Sequence, residues 1–330
     1  MTTDRAGRPA PRLWLGVAAA FLALLCWAFP GVLGRGLDLP PFVLVAYRMW
    51  LGVVLAVAGL RWSGGRLSWR LLRICAFAGV CFGIDLLSFF TAIKLTTVAN
   101  ATVIGSLQPL LLVFAAPLLF RERVRPVDLA AALVAIGGVA LVVLGSQAQP
   151  SWNLRGDLWA VVTLVSWTGY FIACKRAREH LSSTELTAGA SVVALLLVTP
   201  VALVAESPLP WPTPVQWSGL IAIAVLGWSG HLLMNWALGQ IPLWISGTTS
   251  LASPALTTLL AAIVLAEPVG AVQWLGMGVV FVALTAATLR APQVAEIGSP
   301  VDPVPPLAVL AQDDRELREQ EVSRSRQPPP

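Results

Sequence analysis

Apolar residues in this chain do not alternate with polar ones as they would in half-buried strands. They gather into ten long runs bounded by glycine, proline or charge, at residues 13–34, 42–60, 71–93, 98–120, 127–145, 156–174, 186–205, 215–238, 244–266 and 271–289. A helix needs about 20 mostly apolar residues to cross about 30 Å of hydrocarbon, so each run predicts one transmembrane span. Short connections make consecutive spans antiparallel. With the N-terminus in the cytoplasm, eighteen of the 22 basic residues fall on the cytoplasmic side, among them Arg61, Arg66, Arg70, Arg73, Arg121, Arg123, Arg125, Lys175, Arg176 and Arg178. Arg35, Lys94 and Arg155 fall on the other side, and Arg48 lies inside a span. Basic residues accumulate on cytoplasmic loops, so this bias predicts that both termini are cytoplasmic. It also supports the count of ten, because a missed or invented span would scramble the alternation.

The pattern repeats. Ala92, Pro109, Leu111, Ala116, Glu122, Val124 and Val127 recur 145 residues later as Ala237, Pro254, Leu256, Ala261, Glu267, Val269 and Val272. Duplication inside an apolar chain is a mark of repeat-built transporters. Each copy carries five spans, an odd number, so the second copy crosses the membrane in the opposite sense. The expected fold class is an all-α polytopic membrane protein, with ten transmembrane helices in two inverted five-helix repeats. The layout is a cytoplasmic segment at 1–12, a first repeat at 13–145, an extracytoplasmic linker at 146–155, a second repeat at 156–290 and a cytoplasmic tail at 291–330. Prolines frame a charged stretch in that tail, which predicts disorder. The first run is too long for a signal-peptide core and lacks a small-residue cleavage site, so it is taken as an uncleaved span.

Composition agrees with lipid as the solvent. Hydrophobic residues make up 57% of the chain and charged ones 12%, against roughly 25% charged in a soluble domain; the mean hydropathy is +0.77. The net charge of +5 is spread over short loops instead of a patch, so it is no nucleic-acid signal. Cys26, Cys75, Cys81 and Cys174 sit inside apolar runs without ligand spacing and read as small core residues.

Charges retained within spans cost about 2.5 to 3.5 kcal/mol each on insertion scales, which makes Arg48 and Asp85 the first functional candidates. Their similar depths allow an ion pair, either structural or part of transport. Asp85 is a candidate proton carrier; if Arg48 keeps it ionised, the protein is instead a facilitator. Trp228, His231 and Asn235 form one stripe of the eighth span. Asn100 and Gln108 in the fourth span, with Thr249 and Ser253 in the ninth, add polar groups aimed at a shared interior. For each of these, an interhelical hydrogen bond of about 0.6 kcal/mol is the alternative role. Trp27, Trp167 and Tyr170 lie too deep for interfacial anchors and are assigned to a cavity lining. Pro109 and Pro254 interrupt backbone ladders near mid-span, marking the repeat interface as the moving, substrate-bearing region. Glu122 and Glu267 follow at opposite membrane faces, as helix caps or as gates.

The stretches Leu95-Thr96-Thr97-Val98-Ala99-Asn100-Ala101, Leu107-Gln108-Pro109 and Arg121-Glu122-Arg123-Val124 resemble the EamA-type domain of the drug/metabolite transporter (DMT) superfamily. Ala252-Ser253-Pro254 and Ala266-Glu267-Pro268-Val269 resemble its second copy. The resemblance covers residues 13 to 290. It implies a permease of the bacterial inner membrane with a central cavity, exporting amino acids or other small metabolites, and it does not name the cargo. Arg48 sits where many members carry an arginine, whereas Asp85 and His231 are not family-wide features.

The expected function is therefore secondary transport of a small molecule by alternating access, with contacts from the first, third, fourth, sixth, eighth and ninth spans and no cofactor, metal or nucleic-acid partner. Two other classes, an intramembrane enzyme and a non-transporting scaffold, fit the residues less well. Gly227-Trp228-Ser229-Gly230 resembles the serine motif of intramembrane proteases, but His231 lies about 200° around the same helix from Ser229, and His180 falls in a basic loop. A non-transporting scaffold would not need polar stripes on several helices. No zinc-protease or phosphate-loop motif is present.

Overall fold

The structure, a computed structural model, describes residues 12–33, 37–146 and 153–297. These form twelve helices: α1 (Leu13–Leu33), α2 (Pro41–Trp62), α3 (Trp69–Leu95), α4 (Val98–Gly105), α5 (Gln108–Phe120), α6 (Pro126–Leu144), α7 (Leu154–Ala177), α8 (Ser183–Ala205), α9 (Pro214–Leu238), α10 (Leu243–Ser250), α11 (Ala252–Leu265) and α12 (Ala271–Ile297). Among the described residues there is no strand, and ten helical stretches are long and apolar enough to cross a membrane. The number differs from ten because the fourth and ninth spans are each built in two pieces, α4 with α5 and α10 with α11. The described residues up to Pro292 form one compact unit. Residues 1–11 of the N-terminal segment, most of the linker 146–155 and most of the tail lie outside the described residues, as does Arg35.

Helix ends follow local chemistry. Ser182 with Glu185 and Thr213 with Gln216 form capping boxes that satisfy the first amides of α8 and α9. Ser68 Oγ accepts from Leu71 N, and Asn153 Oδ1 from Gly156 N, at the starts of α3 and α7. Prolines occupy the first turns of α2, α5, α6 and α9, where their missing N–H has no intrahelical use.

Contacts between helix ends define two faces. On the arginine-rich face Arg12 meets Gln240, Ser63 meets Thr184, and Glu122 meets both Lys175 and Leu243. On the opposite face Gln216 reaches Asp38, Lys94 pairs with Glu206, and Thr96 bonds Asp157. The core lies between the repeats, since α3 packs on α7 and α8, α1 on α9 and α11, and α2 on α8 and α9. Lipid is as apolar as leucine, so close packing holds such helices together more than hydrophobic burial does. Accordingly, Leu118, Leu196, Ile263 and Val282 stay exposed on the outside.

Candidate functional site

A cavity of about 430 Å³ opens between the repeats. Leu24, Trp27 and Pro30 of α1, Leu44 and Arg48 of α2, and Phe82, Asp85, Phe89 and Phe90 of α3 line one part of it. The broken fourth span contributes Ala101, Thr102, Gly105, Ser106, Gln108 and Pro109; α7 contributes Thr163, Leu164 and Trp167. Ile223 and His231 of α9 and Ser250, Leu251, Ser253 and Pro254 of the broken ninth span complete the wall. These residues lie at mid-span or in the half of each helix nearer the arginine-poor face. The helix breaks sit just before Pro109 and Pro254, so the interrupted backbone at that depth borders the cavity instead of lipid.

The floor is aromatic. Trp27 lies 5.3 Å from Trp167 and 5.0 Å from His231, and Phe82 lies 4.4 Å from His231 between ring centroids. Trp167 stacks on Tyr170 at 5.1 Å with an interplanar angle of 14°. Beneath it, Tyr170 Oη donates to Asn235 Oδ1 (3.4 Å) and bonds His231 Nδ1 (3.1 Å), while Asn235 Nδ2 donates to Thr187 Oγ1 (2.9 Å). His231 is thus engaged with Tyr170 and not with Ser229, an arrangement that does not assemble a serine nucleophile and its base.

Arg48 and Asp85 both face this cavity, but the expected ion pair does not form. Direct ion pairs form instead at Lys94–Glu206 and Lys175–Glu122. Arg48 reaches the cavity from α2 and Asp85 from α3. Gln108 Nε2 and Trp27 Nε1 are buried at the wall without a hydrogen-bond partner in the protein.

Several other expected contacts fall elsewhere. Tyr170 and Asn235 lie under the floor and support it. Trp228 borders a separate crevice of about 20 Å³, and a Cβ on Gly59 of α2 would lie 3.1 Å from its ring; of the stripe Trp228, His231 and Asn235, only His231 lines the cavity. Thr249 Oγ1 bonds Ile245 O within its own helix, and its neighbour Ser250 reaches the wall instead. Asn100 Nδ2 bonds Asp157 Oδ1 at 2.9 Å near the arginine-poor face. Phe82, Phe89 and Phe90 were not singled out from the sequence, although Phe82, Asp85 and Phe89 share one helical face. Likewise α2 joins the wall through Leu44 and Arg48.

On the arginine-rich side the interior is shut. Arg121 ends α5 in the left-handed region (φ 54°) and turns Glu122 across the repeat boundary. Both carboxylate oxygens of Glu122 accept Leu243 N–H, at 2.9 and 2.8 Å. Lys175 Nζ lies 3.6 Å from Glu122 Oε1 and donates to Ile241 O at 2.6 Å. Burial pushes the Glu122 carboxyl above its ordinary value, and Lys175 with the Leu243 and Trp244 amides pulls it part of the way back. α5 packs against α10 where Gly247 removes a side chain; a Cβ there would sit 2.7 Å from Leu112 Cδ1.

Residues 14–144 and 154–289 each match the EamA-like transporter family. The aromatic amino acid exporter YddG of Ancylobacter novellus is 29% identical over 265 residues, covering 76% of this chain and 89% of YddG. The uncharacterized transporter YetK of Bacillus subtilis is 25% identical over 63% of this chain and 64% of its own. The chloroplastic triose phosphate/phosphate translocator of Zea mays is 26% identical, and the match spans 51% of this chain and 41% of the translocator. One solved crystal structure superposes with a TM-score of 0.72 at 25% identity, covering 84% of this chain and 98% of that one. Ten apolar spans around one cavity, with both halves of the chain matched, lead to a single conclusion: the protein is a multi-pass inner-membrane transporter that belongs to the EamA-like transporter family.

Proposed function

We propose that this transporter exports aromatic amino acids, with Arg48 receiving the carboxylate, Asp85 the ammonium, and Trp27, Phe82, Trp167 and His231 the ring. The observation that carries the reading is the presence of two opposite charges facing one aromatic-walled cavity without a salt bridge between them. A zwitterion supplies a partner to each charge at once, which lowers the desolvation penalty both bear within a membrane. The volume of about 430 Å³ suits a small ligand, since such sites run from about 300 to 1,000 Å³. Gln108 Nε2 is a further donor for the carboxylate, and Ser253 adds a hydroxyl to the wall. The similarity to an aromatic amino acid exporter supports the same class.

The arginine-rich face is the cytoplasmic one in this reading, by the charge bias of its loops, so both termini are cytoplasmic and the cavity faces the release side. Transport proceeds by alternating access: the halves rock about the helix breaks at Pro109 and Pro254, closing one side as the other opens. Tyr170, Asn235, Thr249 and Asn100 hold the frame without touching cargo.

Counterflow of labelled tryptophan into proteoliposomes of the full chain tests the reading. Competition by tryptophan is expected to exceed that by tryptamine or indole-3-propionate. Arg48→Gln should erase the advantage of tryptophan over tryptamine, and Asp85→Asn its advantage over indole-3-propionate. No flux of any aromatic amino acid in the unaltered chain would overturn it.

A further inference from the structure

We propose that Glu122 and Glu267 are the two bolts of one gate, each closing its own face by capping the first turn of the broken span from the other repeat. The proposal rests on the carrier function put forward above. On the arginine-rich face the bolt is in place, with Glu122 on the Leu243 N–H and Lys175 bracing both Glu122 and Ile241 O. These contacts tie the end of α5, the end of α7 and the start of α10 together. α10 depends on this foreign carboxylate because its N-cap is Pro242, which makes no side-chain cap.

The offset of 145 carries every part to the other face. Arg121 maps to Ala266, and both are left-handed, at φ 54° and 53°. Glu122 maps to Glu267, and Leu243 maps back to Val98, the first residue of α4. The backbone turn that aims Glu122 is therefore present at Glu267. In this structure the cavity separates α4 from α11, and the α4 start is held locally: Thr97 Oγ1 accepts Asn100 N–H at 3.2 Å, while Asp157 Oδ1 takes Asn100 Nδ2 and Thr96 Oγ1. When that face closes, Glu267 takes the Val98 N–H as Glu122 now takes that of Leu243.

The bolts are unequal, because Pro242 stands where the other repeat has Thr97. Opening the arginine-rich face strips α10 of its only side-chain cap, whereas opening the other face leaves α4 capped by Thr97. The chain accordingly rests with the arginine-rich face shut.

A thiol placed on the cavity wall by Ser250→Cys reads out the gate in intact cells treated with a membrane-impermeant maleimide, after subtracting the labelling of the chain without it. Glu122→Ala should slow labelling several-fold, and Glu267→Ala should speed it. Val98→Pro and Leu243→Pro remove the two N–H donors at a position where helices accept proline; they should reproduce the Glu267 and Glu122 effects in turn, without loss of a carboxylate. Shifts of the same sign in the two Glu variants, or none in either, would overturn the proposal. Tryptophan counterflow run alongside separates the two readings: its absence in the unaltered chain removes the substrate assignment, while opposite labelling shifts still stand for the gate.

Discussion

Tyr170 illustrates how much a single residue reveals from sequence. Its depth marked it as interior, and a polar helix stripe picked out His231 and Asn235. That Tyr170 bonds both of the others depends on the approach of α7 and α9, which no spacing within one helix encodes. Tyr170→Phe leaves His231 Nδ1 and Asn235 Oδ1 without this partner, a loss of about 1–3 kcal/mol for buried polar groups. Thermal unfolding in detergent should show the drop, while tryptophan affinity changes less than in Arg48→Gln; an equal affinity loss would place the hydroxyl on the cargo. Glu122 carries a pH signature. Burial raises its carboxyl above the ordinary glutamate value, against Lys175 on α7 and the Leu243 and Trp244 amides on α10. The closed face therefore binds a proton more readily than an open one where the side chain meets water. Closure gains as pH falls; the gain is complete below the ordinary value and lost as pH rises through the raised one. Lowering the pH on the arginine-rich face alone, from about 7 toward about 5, should speed Ser250→Cys labelling, and Glu122→Ala should abolish that slope. A slope surviving in the variant would assign the proton to another group.

At the scale of elements, the ten spans were legible because bilayer thickness imposes a length that apolar runs must meet. Their subdivision was only half legible: Pro109 and Pro254 flagged the interruptions, but a proline sits comfortably in a first turn, so each break lies upstream of it. The contact of α10 with α5 was invisible in the sequence, since Gly247 looks like any glycine until Leu112 is seen opposite. Gly247→Leu forces these helices apart and should open the arginine-rich face, slowing maleimide labelling at Ser250→Cys. Unchanged labelling would mean that the contact does not hold the closed state.

For the whole molecule, the fold class followed from counting alone: two copies, five spans each, opposite senses. The site did not, because Arg48 and Asp85 lie at matching depth, yet whether they meet each other or a cavity is decided by the rotation of α2 and α3. Tags at Arg66 should be reached only from the cytoplasm, and tags at Arg155 and Glu267 only from outside; the reverse result would invert the proposed direction of opening.

The interleaving of the repeats has a consequence for assembly. Because α3 lies against α7 and α8, and α1 against α9 and α11, each five-span half finds its main packing surface on its sibling and little within itself. Residues 1–146 and 153–330 produced as separate polypeptides should therefore locate one another in the bilayer and recover transport, whereas either fragment made alone should be cleared by membrane proteases.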